Sequence, residues 1–185
     1  MKRKTLALLL CAALLLTACT AAPPEPTAPT YPQAAEVSGD TIRIGQYHAQ
    51  IPDGFVVDSS SDSLVALVST EYRCIMALMA YDISTTSEDD LKSYMAQLAE
   101  TAEDTRDVHT LVGDLSLKST MWVEMGEDLD ASLAVQTDFT DSWYFYRITT
   151  KYLDADAPEA AMSASIDFLA SFTSDGVQPR FDFVQ

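Results

Sequence analysis

Glycine is scarce in this chain, six in 185 residues, and none stands in a Gly-rich loop leading into a helix, so a backbone cradle for phosphate is not expected. Histidine is limited to His48 and His109. They form no His-x-x-x-His or His-Glu-x-x-His, and no Gly-x-Ser-x-Gly occurs, so the usual metallohydrolase and serine-nucleophile spacings are missing. Basic residues are few, 11 against 28 acidic ones, giving a net charge of −17. A domain of that balance has no Lys/Arg cluster for nucleic acid or for anionic head groups. Cysteine is confined to Cys11, Cys19 and Cys74, too few for a structural thiolate zinc site once the first two are accounted for below. No apolar run approaches the roughly 20 residues needed to span a bilayer.

What is present begins with Lys2 to Thr20, KRKTLALLLCAALLLTACT: three basic residues, an apolar run from Leu6 to Leu16, then Leu16-Thr17-Ala18-Cys19. This is the pattern of a secretory signal. Its last four residues resemble the lipoprotein box of bacterial lipoprotein precursors. The resemblance implies removal of residues 1–18 and a diacylglycerol on Cys19, which becomes the mature N-terminus. A plain cleaved signal, cut after Ala18, is the alternative. Residues 19–39 then carry the lipidated cysteine and a tether, TAAPPEPTAPTYPQAAEVSG, holding Pro23, Pro24, Pro26, Pro29 and Pro32, five of the eight prolines. That composition stays extended and builds no core. With Cys11 lost and Cys19 acylated, Cys74 is left without a disulfide partner.

Residues 40–185 have the length of one domain. Thr41 to Gln46 and Tyr47 to Ile51 read as strands about a Gly45 kink, and Pro52-Asp53-Gly54 as a turn. Phe55 to Asp58 and Leu64 to Ser69 follow. Arg73 to Asp82 is apolar at nearly every position, which predicts a central strand covered on both faces. Ser87 and Asp90 have capping-box spacing before a helical stripe of Leu91, Tyr94, Met95, Leu98 and Ala102. Ser116 to Met125, Ala131 to Thr140 and Ser142 to Leu153 are further strands. A closing helix beginning near Asp156 to Pro158 carries Met162, Ile166, Leu169 and Phe172 and stops near Asp175-Gly176.

Consecutive strands joined by tight turns are antiparallel, so the expected fold class is α+β: a central antiparallel sheet of about six strands with helices packed on its faces. Ala49-Gln50-Ile51-Pro52-Asp53-Gly54-Phe55, with the element order from Thr41 to Phe172, resembles the PsbP/Mog1-like domains. The resemblance implies an α/β/α sandwich and an interaction or assembly module. It brings no catalytic motif.

The remaining candidates are weighed residue by residue. Glu124, Glu127, Asp128 and Asp130 surround a Gly126 turn, and Asp154, Asp156 and Glu159 lead into the last helix. Neither has EF-hand spacing, and turn chemistry and helix N-termini explain both, so no metal and no cofactor is expected. Cys74 and Met76, like Met95, Met121, Met125 and Met162, read as core. Tyr81, Trp122, Trp143 and Phe145 are the possible lining of a cleft for a sugar or peptide, or else sheet packing. The expectation is a lipid-anchored protein on the extracytoplasmic side of the cell membrane. Its domain would serve as a non-enzymatic interaction or assembly module for another envelope protein. A small-ligand receptor for a sugar, peptide or ion is the alternative class, and a hydrolase using His48 or His109 the least expected.

Overall fold

The computed structural model describes residues 33–96, 105–125, 131–154 and 159–174. Two antiparallel sheets and a helix enclose one core. The small sheet is built from β1 (Ala35–Ser38), β2 (Thr41–Ile44), β3 (Tyr47–Gln50) and β11 (Thr173–Ser174), adjacent in the order β1-β2-β3-β11. The large sheet is built from β4 (Val56–Ser60), β5 (Leu64–Ser69), β6 (Cys74–Asp82), β7 (Arg106–Val112), β8 (Leu115–Met125), β9 (Ala131–Thr140) and β10 (Tyr144–Tyr152). Its order is β4-β5-β6-β10-β9-β8-β7. Two helices are described, α1 (Glu88–Ala96) and α2 (Glu159–Ala170).

The fold is therefore the antiparallel α+β class expected, with a larger sheet of seven strands and, among the described residues, the two helices α1 and α2. Together with α2, the small sheet covers one face of the large sheet. Alternation along its strands sets the arrangement: Ala35, Ile42, Ile44, Tyr47 and Ala49 are buried, whereas Glu36, Arg43 and His48 share the opposite side. Its apolar side lies on Val65, Leu67, Cys74, Met76 and Leu78 of the large sheet, and α2 supplies Ala161, Phe168 and Leu169 to the same core. β1 lies upstream of Asp40, inside the stretch expected as tether. Ala35 is fully buried there, and its amide donates to Asp62 O at 2.8 Å.

Three local expectations change. β6 is central, between β5 and β10; among the described residues one face is fully covered, and on the other Ala77, Met79 and Tyr81 are half-buried. Cys74, Met76, Leu78 and Ala80 are buried, while Ile75 is 38% exposed on the other side. An apolar side chain at every position does not require cover at every position. His109, expected before a strand, lies on β7, whose strand character is hidden in the sequence by the polar side chains that fill its solvent face. In α2 the buried stripe is Ala161, Ser165, Phe168 and Leu169, and Ile166 is 46% exposed. The Ser165 hydroxyl bonds the Tyr152 hydroxyl and donates to Met162 O, which turns this polar residue inward and Ile166 out. The helix ends at Ala170, and Phe172 still reaches the core.

The cap of α1 is as the sequence implies: Asp90 N donates to Ser87 Oγ at 3.1 Å and Ser87 Oγ to Asp90 Oδ2 at 2.6 Å. The stripe expected on that helix, Leu91, Tyr94, Met95, Leu98 and Ala102, lies outside the described side chains. So do Leu16, Thr17, Ala18 and Cys19 and most of the tether. No helix among the described residues is long and apolar enough to cross a membrane.

At the centre, Phe139 and Tyr146 stack at 4.5 Å, and Tyr47 meets both rings edge-on at 6.0 and 5.4 Å. Each such pair contributes about 1 kcal/mol beyond its buried area. Tyr47 comes from the small sheet and the other two from the large one, so this cluster joins the layers.

Candidate interaction face

The two faces of the large sheet differ in composition, and strand register says which residues share each. Opposite the core, one cross-strand row runs Val56, Val68, Ile75, Lys151, Ala134 and Trp122 over six strands. The next holds Ala66, Ala77, Thr149, Gln136 and Thr120, and a third Leu64, Met79, Arg147 and Asp138. This outer face thus has two halves. The β8 to β10 half is covered, with Trp122, Ala134, Gln136, Phe145 and Arg147 all buried, and its charges are internally paired. Arg147 donates to both Asp138 oxygens, at 2.9 and 2.8 Å, with its guanidinium 5.9 Å from the Phe145 ring centre. Lys151 pairs with Glu124, whose other oxygen accepts from Trp122 Nε1 at 3.2 Å. The lysine bond holds the Glu124 carboxyl below its ordinary range, with the indole bond assisting.

The β4 to β6 half is apolar. Val56 is 61% exposed, and Leu64, Ala66, Val68, Ala77 and Met79 are half-buried around Ile75. Asp58 on β4 and Glu71 after β5 are exposed beside it, while Asp62 bonds Gln33 next to the small sheet. A flat apolar patch with an acidic margin has the make-up of a macromolecular docking surface rather than a small-molecule pocket.

The sequence-predicted residues disperse over this frame. Tyr81 and Phe145 stand opposite each other and stack at 6.3 Å on the outer face. Trp122 is on the same face, opposite Ala134 and level with Lys151, which is about 20 Å along β10 from Phe145 at about 3.3 Å per residue. Trp143 precedes β10 and packs against the core. The four rings therefore do not line one cleft. His48 and His109 lie on different sheets: His48 Nε2 is 2.9 Å from the Thr173 hydroxyl, and His109 is exposed opposite Lys118. Among the described residues no three His, Cys, Asp or Glu side chains converge to hold a metal. Glu127, Asp128, Asp130 and Asp156 lie outside those residues, Glu124 is bound as described, and Asp154 pairs with Arg73 at 2.9 Å. Cys74 is buried, and burial pushes its thiol up to about 12.

A shallow depression of about 410 Å³ lies on the polar side of the small sheet, lined by Glu36, Ser38, Thr41, Arg43 and His48. Arg43 bonds Glu36 at 2.8 Å and the carbonyls of Gln33 and Gly45 at 3.1 and 3.2 Å, so its guanidinium serves the sheet itself.

Sequence reasoning missed a polar cluster inside the core. Asp141 Oδ1 accepts from the amides of Trp143 and Tyr144, both at 2.7 Å, and Oδ2 accepts from Tyr146 Oη at 2.6 Å and Gln46 Nε2 at 2.7 Å. Tyr146 Oη in turn accepts from Gln46 N at 3.2 Å. Burial, then the Asp141 charge, pushes both Tyr146 and Tyr47 well above the usual phenol range, so both stay protonated donors. Thr140-Asp141-Ser142 reads as a turn in sequence, and only the fold brings Gln46 to it.

Neither a protein-family model nor a curated protein matches the chain. Among solved structures it is similar to a Bacteroides thetaiotaomicron protein at 7% identity and TM-score 0.46, over 77% of this chain and 48% of that one. It therefore spans about half that protein's length. It is also similar to cyanobacterial PsbP (CyanoP) from Synechocystis at 13% identity and TM-score 0.40, covering 84% of this chain and 98% of that one. The assignment of fold class rests on the strand order and register above.

Proposed function

We propose that this protein is a lipid-anchored extracytoplasmic lipoprotein whose domain is a non-enzymatic interaction module. It docks an envelope protein on the β4 to β6 half of the large sheet's outer face. The observation carrying this reading is the patch of Val56, Leu64, Ala66, Val68, Ile75, Ala77 and Met79, exposed or half-buried on one face with Asp58 and Glu71 exposed beside it. Burying such side chains contributes about 25 cal/mol per Å². The acidic margin, on a chain of net charge −17, selects a partner surface that is apolar at its centre with Lys or Arg around it. The Lys2 to Cys19 pattern supports the anchor. Two acyl chains on Cys19 hold firmly where one would be marginal, and confinement beside the membrane raises the domain's effective concentration for neighbours.

Both parts have direct tests. Cys19→Ala is expected to move the protein from the membrane to the soluble fraction; a variant that still sediments with membranes refutes the anchor. A photo-crosslinking residue at Ile75 is expected to capture one envelope protein in intact cells, with capture lost on Ala77→Glu. The same residue at Ile166 on α2, which is somewhat more exposed than Ile75, should capture nothing above background. Equal capture from both sites, or none from Ile75, refutes the docking face.

A further inference from the structure

The two edges of the large sheet are not equivalent. β4 is short and irregular, its register with β5 shifting between Val57 and Ser59, and such a bulge twists an edge away from further pairing. β7 (RDVHTLV) is seven residues long, pairs in unbroken register with β8, and among the described residues pairs with no other strand. It contains no proline and no bulge, two of the devices that blunt an open edge. The Gly113-Asp114 hairpin, with Gly113 at φ 56°, is flanked by the Val112–Leu115 pair. In a two-residue hairpin that pair exchanges its backbone hydrogen bonds. Parity then directs the amides and carbonyls of Asp107, His109 and Leu111 away from β8. Their side chains are all exposed on the outer face.

We propose that β7 is a dimerisation edge, adding antiparallel to β7 of a second copy about a two-fold axis at Val108. Antiparallel self-pairing that matches outward backbone groups allows only axes on a residue. An axis at Asp107 sets two carboxylates against each other. One at His109 opposes two imidazoles and leaves Asp107 against Leu111, and one at Thr110 sets His109 against Leu111. The axis at Val108 alone places Asp107 opposite His109 of the second copy, twice, within hydrogen-bonded pairs. Cross-strand pairs of opposite charge stabilise a sheet, while like charges directly opposite destabilise it. This register sets each carboxylate against an imidazole that can donate a hydrogen bond to it, and not against a second carboxylate, although the whole chain is strongly acidic. One strand pair buries little area, so the dimer is weak in solution and is best read by trapping.

This dimer does not rest on the docking face, which lies at the other edge of the sheet. The test uses the full lipidated chain in detergent with single cysteines added; Cys74, being buried, stays silent. Val108→Cys lies on the axis and faces its own copy, within disulfide range for a directly opposed pair. It is expected to form a covalent dimer under mild oxidation at least tenfold faster than Thr110→Cys. In the Val108→Cys background, Asp107→Lys and His109→Asp should each slow trapping about tenfold, and the double exchange should restore it. The exposed Asp107–Lys118 pair, at 3.1 Å, contributes little to the monomer, so the exchange leaves folding intact. Equal trapping at 108 and 110, no trapping at 108, or charge variants without mutual rescue overturns the proposal.

Discussion

Asp141→Ala is expected to lower the stability of the domain by about 4 kcal/mol, the loss of a buried acceptor that serves four donors. The amides of Trp143 and Tyr144, the Tyr146 hydroxyl and the Gln46 amide would all lose this partner at once. Asp141 is 5% exposed and Tyr146 fully buried, so water cannot take its place without opening the core. Domains are stable by only about 5 to 15 kcal/mol, so the variant stands near the limit of folding. At about 2 to 4 °C per kcal/mol for a chain of this size, the thermal midpoint should fall by about 10 °C or more. Tyr146→Phe removes one hydroxyl and leaves the carboxylate three donors, so its cost is expected to be about 1.5 kcal/mol. Thermal unfolding followed by circular dichroism decides the matter. A loss below about 1 kcal/mol for Asp141→Ala would show that the cluster is not what joins the β9–β10 turn to the small sheet.

The same cluster explains what could and could not be read in the sequence. Strands β8, β9 and β10 were legible because each is long, apolar or β-branched, and bounded by polar turns. The Ser87–Asp90 cap was legible because a cap is a local device. The division of labour between sheets was not, since nothing local in Thr41 to Gln50 says that its apolar side closes over β5 and β6. Asp141 looks like a turn residue and is one, but Gln46 reaches it from 95 residues away. Ser165 in α2 shows the same limit, because Ile166 is the more apolar of the two and the hydroxyl of Tyr152 decides which faces inward. The cleft that Tyr81, Trp122, Trp143 and Phe145 offered as the alternative to sheet packing fails to assemble for a related reason. Composition identifies rings suited to stacking, whereas strand register, which decides whether they meet, is set by pairing across the sheet. The apolar patch has its sequence signal in the unbroken run of β6, which implies double cover although its outer side is only half-covered.

Gly45→Ala is the second large effect and separates backbone strain from packing. Gly45 has φ 51°, in the left-handed region where an added Cβ costs about 1 kcal/mol. Its Cβ would also stand 2.6 Å from Tyr146 Cε1 and 2.7 Å from Cζ, against the phenol oxygen as well. That ring cannot withdraw, being stacked on Phe139 and hydrogen-bonded to Asp141. The small sheet must therefore lift from the large one, an overpacking cost of about 2 kcal/mol added to the strain. Gly39 is the internal control, with φ 59° and nothing within 4 Å of an added methyl group, so Gly39→Ala carries the strain alone. Chemical denaturation of the two variants is expected to show losses of about 3 and about 1 kcal/mol with unchanged slope. Equal losses would mean that the β2–β3 turn does not bear on Tyr146, and the close approach of the two layers at Gly45 would have to be abandoned. A loss confined to Gly45→Ala, relieved in part by Tyr146→Phe through removal of the phenol oxygen, would place the contact at that atom.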